Sequence, residues 1–164
     1  MRKIDSLLNE YGESHKNKTN KLIHWICVPL IFFSVVGLVW AIPKGPLENI
    51  NIFEYEYINW ATLVLCLVLA YYVSLSFLLT IGMSVFSIAC LYFTNLLENL
   101  ILEKIITIDL WQISLIIFIL AWIFQFIGHK IEGKKPSFLK DIQFLMIGPA
   151  WLMHFIYNKL NIKY

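Results

Sequence analysis

No Asp, Glu, Lys or Arg occurs between Leu22 and Pro43, and none between Tyr57 and Leu97. Charge is scarce throughout: 15% of the 164 residues are charged and 59% are hydrophobic, against about 25% and roughly 45–50% in soluble domains. A chain this short cannot hide that surplus in a core of its own, because small domains leave much of their surface exposed. Lipid is the solvent that accepts it. The net charge of +2 says little by itself, and no nucleic acid is expected as a partner. Only three cysteines occur, Cys27, Cys66 and Cys90, all in apolar runs without CxxC spacing. Neither a disulfide framework nor a thiolate metal site is expected from them. The first 21 residues are polar and lack the form of a cleavable secretory signal, so the first apolar run is expected to remain as an anchor. No glycine-rich phosphate loop follows a strand, and no Ser-His-Asp arrangement is visible.

What is present is helical in its period. Ile4, Leu7, Leu8, Tyr11 and His15 recur at spacings of three and four, which predicts an amphipathic helix over residues 4–15 with His15 on its apolar face. Thr19 or Asn20 is placed to cap the next helix, with Pro29 near that helix's start. A span of about 20 residues crosses a bilayer, so Leu22–Pro43 makes one. The 41 uncharged residues from Tyr57 to Leu97 would make a helix about 60 Å long, twice the hydrocarbon core. They are therefore expected to be two spans, turning at Gly82. Asp109 caps a fourth span. The expected fold is an all-α, single-domain membrane bundle over residues 1–164, with spans at 22–43, 57–81, 83–102 and 110–128. The segment 142–158 is expected as an interfacial or re-entrant helix opened by Pro149. The amphipathic N- and C-terminal helices then cap one end of the bundle.

With the N-terminus inside, the cytoplasmic segments hold all but two of the 13 Lys and Arg residues; the outer loops hold Lys44 and Lys104. That bias orients the bundle with both termini cytoplasmic. The same topology gathers the four histidines at the cytoplasmic end. His24 opens the first span, His129 closes the fourth, and His15 and His154 lie on the covering segments. Neutral imidazoles of this kind bind Fe, Zn or Cu, and polar neighbours fix their tautomers. Asn20 and Glu132 are best placed for that supporting role, and Glu132 is also a candidate carboxylate ligand. Two other readings stand beside a metal site: a cytochrome with haem between His24 and His129, and a non-enzymatic module or small transporter whose histidines anchor at the headgroups.

Two motifs resemble a known family. His15-x4-Asn20-x3-His24, followed by Val28-Pro29, and Gln125-x2-Gly128-His129-x2-Glu132-x3-Pro136 are similar to the signatures of the Mpo-type 2-hydroxy fatty acid dioxygenases. Leu145-x2-Gly148-Pro149 resembles the family's C-terminal motif. The resemblance implies a small multi-spanning membrane enzyme that uses Fe(2+) and O2 to shorten a long-chain 2-hydroxy fatty acid by one carbon. It implies His15, His24 and His129 as candidate metal ligands and Asn20 and Glu132 as catalytic supports, while His154 is a candidate ligand from its place at the same end of the bundle. Lys21, Lys130 and Lys134 are candidates for attracting the substrate carboxylate. Membrane lipid is the surrounding partner, in the inner membrane of a bacterium or the endoplasmic reticulum of a eukaryote. A homo-oligomer is neither required nor excluded.

Overall fold

The computed structural model describes residues 2–49, 58–136 and 143–163, and its long elements are all helices. In chain order they are α1 (Lys3–Gly12), α2 (Lys18–Trp40), α3 (Trp60–Leu75), α4 (Phe77–Leu102), α5 (Leu110–Glu132) and α6 (Phe144–Lys159). Tyr57 and Ile142, expected to open the second span and the last segment, lie outside the described residues. By length and composition α2, α4 and α5 can each cross a membrane. Helix α3 is apolar but has 16 residues, about 24 Å against a hydrocarbon core of about 30 Å. Their outer faces carry large apolar side chains, Leu67 at 73% exposure and Val85 at 65% among them. Such a surface belongs in lipid.

Two clusters of buried residues mark the two ends of an antiparallel bundle. At one end Val36 and Trp40 of α2 meet Ala61 and Leu65 of α3, Cys90 of α4 and Leu110 of α5. There the Trp40 indole donates to Glu98 at 2.8 Å, which makes Glu98 part of the helix packing. At the other end Val28, Tyr72, Leu79 and Met83 pack with Ile4, Leu8 and Tyr11 of α1 and Ile147 and Trp151 of α6. Helices α1 and α6 thus lie over that end and bury their apolar faces on each other and on the bundle, as the amphipathic pattern requires.

Several local expectations are corrected. The break between the second and third spans is at Ser76, in extended conformation, and Gly82 lies inside α4. Ser76 can accept from the Leu79 amide, so it caps a helix as glycine cannot. Gly82 instead admits α6: a Cβ there would strike Met153 and the Tyr157 hydroxyl. Helix α2 is capped by Asn17, whose side chain accepts from the Thr19 and Asn20 amides, and neither Thr19 nor Asn20 is the cap. Starting at Lys18, α2 carries Pro29 in its interior. The helix forgoes the amide that would normally serve the Trp25 carbonyl. Pro149 likewise sits inside α6, which opens at Phe144. Asp109 does precede α5, and the Gln112 side chain reaches back to its amide at 3.1 Å.

Candidate metal centre

The site is made where α2 and α5 come closest, and glycine makes the approach. A Cβ on Gly128 would collide with the Asn20 carboxamide oxygen, and one on Gly37 with the Ser114 hydroxyl. These two contacts hold the antiparallel pair together at its two ends. His24 lies one turn after Asn20 on α2, and His129 follows Gly128 on α5. His15 comes from the turn after α1, where its amide donates to the Gly12 carbonyl at 3.1 Å. Its ring stacks on Tyr11 at 4.2 Å between centroids and lies 5.1 Å from Trp151.

The three rings converge in the interior. His15, His24 and His129 are 1%, 0% and 5% exposed, and centroid separations are 4.2, 5.0 and 4.8 Å for the pairs 15–24, 15–129 and 24–129. One ligating nitrogen from each ring lies within 4.8 Å of the others. The tautomers of two rings follow from their partners. His15 Nδ1 is 2.6 Å from the Tyr11 carbonyl and His24 Nδ1 is 2.9 Å from the Asn20 carbonyl. A carbonyl can only accept, so both Nδ1 atoms carry the proton and both Nε2 atoms present lone pairs. Those two Nε2 atoms and His129 Nδ1 are buried without a hydrogen-bond partner. Each such orphan costs about 1–3 kcal/mol, so the fold sets aside three costly groups facing one point. Desolvation by burial is the largest influence on His15 and takes its pKa down to about 4, leaving it neutral near pH 7 as ligation requires. The donor set fits a borderline divalent metal such as Fe, Zn or Cu. It does not fit a haem between His24 and His129, because the His15 ring rests against both and occupies the space of a porphyrin plane. Nor are these three rings exposed, as histidines anchoring at the headgroups would be.

Glu132 is the bracket of the site. Its carboxylate accepts from the Lys16 and Asn17 amides, each at 2.8 Å, and from Asn20 Nδ2 at 3.1 Å. Charge-assisted bonds to two backbone amides tie the loop carrying His15 to the end of α5. The same Asn20 nitrogen donates to the Ser14 carbonyl at 3.1 Å, so Asn20 links the loop, α2 and α5. The carboxylate is fully engaged there, and among the described residues the metal-competent group contains the three histidines without it. Immediately beyond, Gly133 adopts φ 72° and ends α5, a left-handed turn that glycine makes at little cost. Glu132→Ala is expected to weaken metal binding by roughly 10–100-fold, as loss of a supporting partner does. Equilibrium dialysis against Fe(II) or Co(II) checks this; unchanged affinity would mean that the loop holds His15 without the carboxylate.

The structure keeps His154 apart from the trio. Helices α1 and α6 run antiparallel, with Trp151 at Gly12 and His154 beside Arg2 and Asp5. Asp5 is about 10 Å before Gly12 along α1, so His154 lands at the wrong end of that helix. There its Nε2 accepts from Asn158 at 2.9 Å. Of the lysines, Lys134 donates to the Glu13 carbonyl at 2.8 Å, Lys21 is half-buried beside Asn20, and Lys130 is exposed beside His129. The sequence reading gave no role to Tyr11 or Trp151, the rings that pack on His15. Tyr11 precedes His15 by one helical turn on the apolar face, and that spacing was the available signal.

A cavity of about 320 Å³ opens beside His129 and Tyr11, bounded by α2, α5 and α6. A family model described as 2-hydroxy-palmitic acid dioxygenase Mpo1-like matches residues 1–160. The 2-hydroxy-palmitic acid dioxygenase MPO1 of Saccharomyces cerevisiae is 28% identical over 167 residues, covering 96% of this chain and 82% of the yeast protein. No solved structure matches the chain. A match over nearly every residue, containing all three clustered histidines, places the chain in the Mpo1-like family.

Proposed function

We propose that this protein is a membrane dioxygenase that shortens long-chain 2-hydroxy fatty acids by one carbon, with Fe(2+) held by His15, His24 and His129. The observation that carries the reading is the trio of buried, unpartnered ring nitrogens, one of whose rings, His129, lines an apolar cavity, in a family described as 2-hydroxy-palmitic acid dioxygenase Mpo1-like. Ferrous iron, when bound, supplies electrons for O2 and a Lewis acid that a 2-hydroxy acid can chelate through two oxygens. The chain's own residues do the rest. The Tyr11 and Asn20 carbonyls hold their imidazoles in the ligating tautomer, and Glu132 holds the loop that presents His15. Apolar walls keep water from the reacting end. Lys21 and Lys130, near the cluster, draw in the acid's carboxylate by charge. The skewed distribution of lysines supports a cytoplasmic position for this end and both termini; reporters fused to the two termini and found on opposite sides would reject it.

Iron-loaded protein in detergent, incubated in air with 2-hydroxypalmitate, is expected to yield pentadecanoate by mass spectrometry. Palmitate should not turn over, since it lacks the second chelating oxygen, and anaerobic conditions or a chelator should stop the reaction. No pentadecanoate from protein with one iron per chain would reject the assignment.

A further inference from the structure

We propose that the cavity beside the histidines is an acyl-chain site entered sideways from the bilayer, and that Gln125 reads the polar head of the acid lying in it. The inference rests on the dioxygenase reading above. At about 320 Å³ the cavity falls within the range of ligand sites, roughly 300–1,000 Å³. Val28, Ile31 and Val35 of α2 and Phe118 and Trp122 of α5 line its length, and Pro149 of α6 lines it as well. The lining runs from Val28 to Val35 on α2, about 10 Å, and from His129 back to Phe118 on α5, about 16 Å. That is long enough for most of an extended palmitoyl chain. At one end the cavity is lined by Tyr11 and by His129, whose ring belongs to the imidazole cluster. Two of its wall residues, Val35 and Leu145, are 39% and 42% exposed at the protein surface, and Val35 lies on a helix long and apolar enough to cross a membrane. An elongated apolar slot reached from hydrocarbon admits a lipid tail without passage through water, and it would strip a polar ligand of its hydration.

Gln125 is the exception in this wall. It is 6% exposed, lines the cavity, and sits one turn before His129 on the same face of α5. Its carboxamide makes no hydrogen bond among the described residues. A carboxamide on a residue this buried, in a wall that is mostly apolar, is a polar group available to a ligand in the cavity. Its oxygen can accept from a 2-hydroxyl and its nitrogen can donate to a carboxylate. Those two groups distinguish this acid from the lipid around it.

The probe is 2-hydroxypalmitate carrying a diazirine at the end of its chain, photolysed with the purified full chain. Label is expected on peptides containing Ile31–Val35 and Phe118–Trp122, and excess 2-hydroxypalmitate should remove it. Ile31→Trp, with Val35→Trp as a second filling variant, should raise KM for 2-hydroxypalmitate about 10-fold and spare 2-hydroxyhexanoate. In Gln125→Leu, the advantage of 2-hydroxypalmitate over palmitate as competitor should fall about 10-fold, at unchanged metal content. Uncompeted label scattered over lipid-facing residues such as Leu67 and Val85 overturns the site, even if pentadecanoate is formed. Competed label within the cavity without pentadecanoate supports the site and rejects the reaction instead. Unchanged competition in Gln125→Leu overturns the role of Gln125.

Discussion

His24→Ala and His129→Ala are each expected to reduce bound metal from one ion per chain to background and to abolish turnover. His15→Ala should follow closely. The expectation rests on geometry: each ring offers a buried nitrogen with no other partner, and one nitrogen of each lies within 4.8 Å of the others. Losing a supporting partner typically costs 10–100-fold in metal affinity, and losing a ligand should cost more. Each substitution also removes a buried orphan, so the metal-free variants should be no less stable than the metal-free parent apart from the cavity left behind. That separates loss of a ligand from loss of the fold. His154→Ala is the contrasting variant, because its ring lies beside Arg2 and Asp5 and bonds to Asn158. It should retain metal in full. Elemental analysis of the purified variants checks all four, and stoichiometric iron in His24→Ala and His129→Ala would remove the proposed centre.

Gly128→Val is expected to have the second-largest effect. The added Cβ would occupy the place of the Asn20 carboxamide oxygen. Asn20 cannot swing away, being 0% exposed with its Nδ2 held by the Ser14 carbonyl and by Glu132. The helices must therefore part, and overpacking of this kind costs typically 1–3 kcal/mol. The parting separates His24 from His129, so metal should be lost along with thermal stability. Gly37→Val makes a similar collision with Ser114 at the far end of the same helix pair. It should lower the melting temperature while leaving metal content near one per chain. Equal metal content in the two variants would show that helix spacing at Gly128 does not set the site.

The parts of this molecule that were legible in the sequence are those set by a repeating pattern or an abrupt change of composition. Uncharged runs marked the long helices, and spacings of three and four marked α1 and placed His15 on its inner face. His24 and His129 could be assigned to one end because each stands at the edge of an apolar run. What the sequence hid was set by single contacts between distant elements. Gly82 reads as a hairpin turn until Met153 and Tyr157 are seen against it. Pro29 and Pro149 read as helix openers, because tertiary packing that tolerates an interior proline leaves no local trace. His154 shares the end of the bundle with the site and misses it by the direction in which α6 runs along α1. Glu132 was picked out as a neighbour of His129, but its main partners are amides of Lys16 and Asn17, which no periodicity could indicate.

Those bonds join residues 116 and 115 positions apart, and this separation imposes an order on biosynthesis. A ribosome that has delivered α1 to α4 into the bilayer has not yet made His129 or Glu132. The nascent chain then holds two of the three clustered imidazoles, His15 on a loop without its anchoring carboxylate and His24 on a helix whose closest partner does not exist. The proposed centre therefore cannot serve as a template for the first span. A metal ion held by the three rings would be captured late in the life of the chain, only when its last membrane helix has been threaded back beside its first.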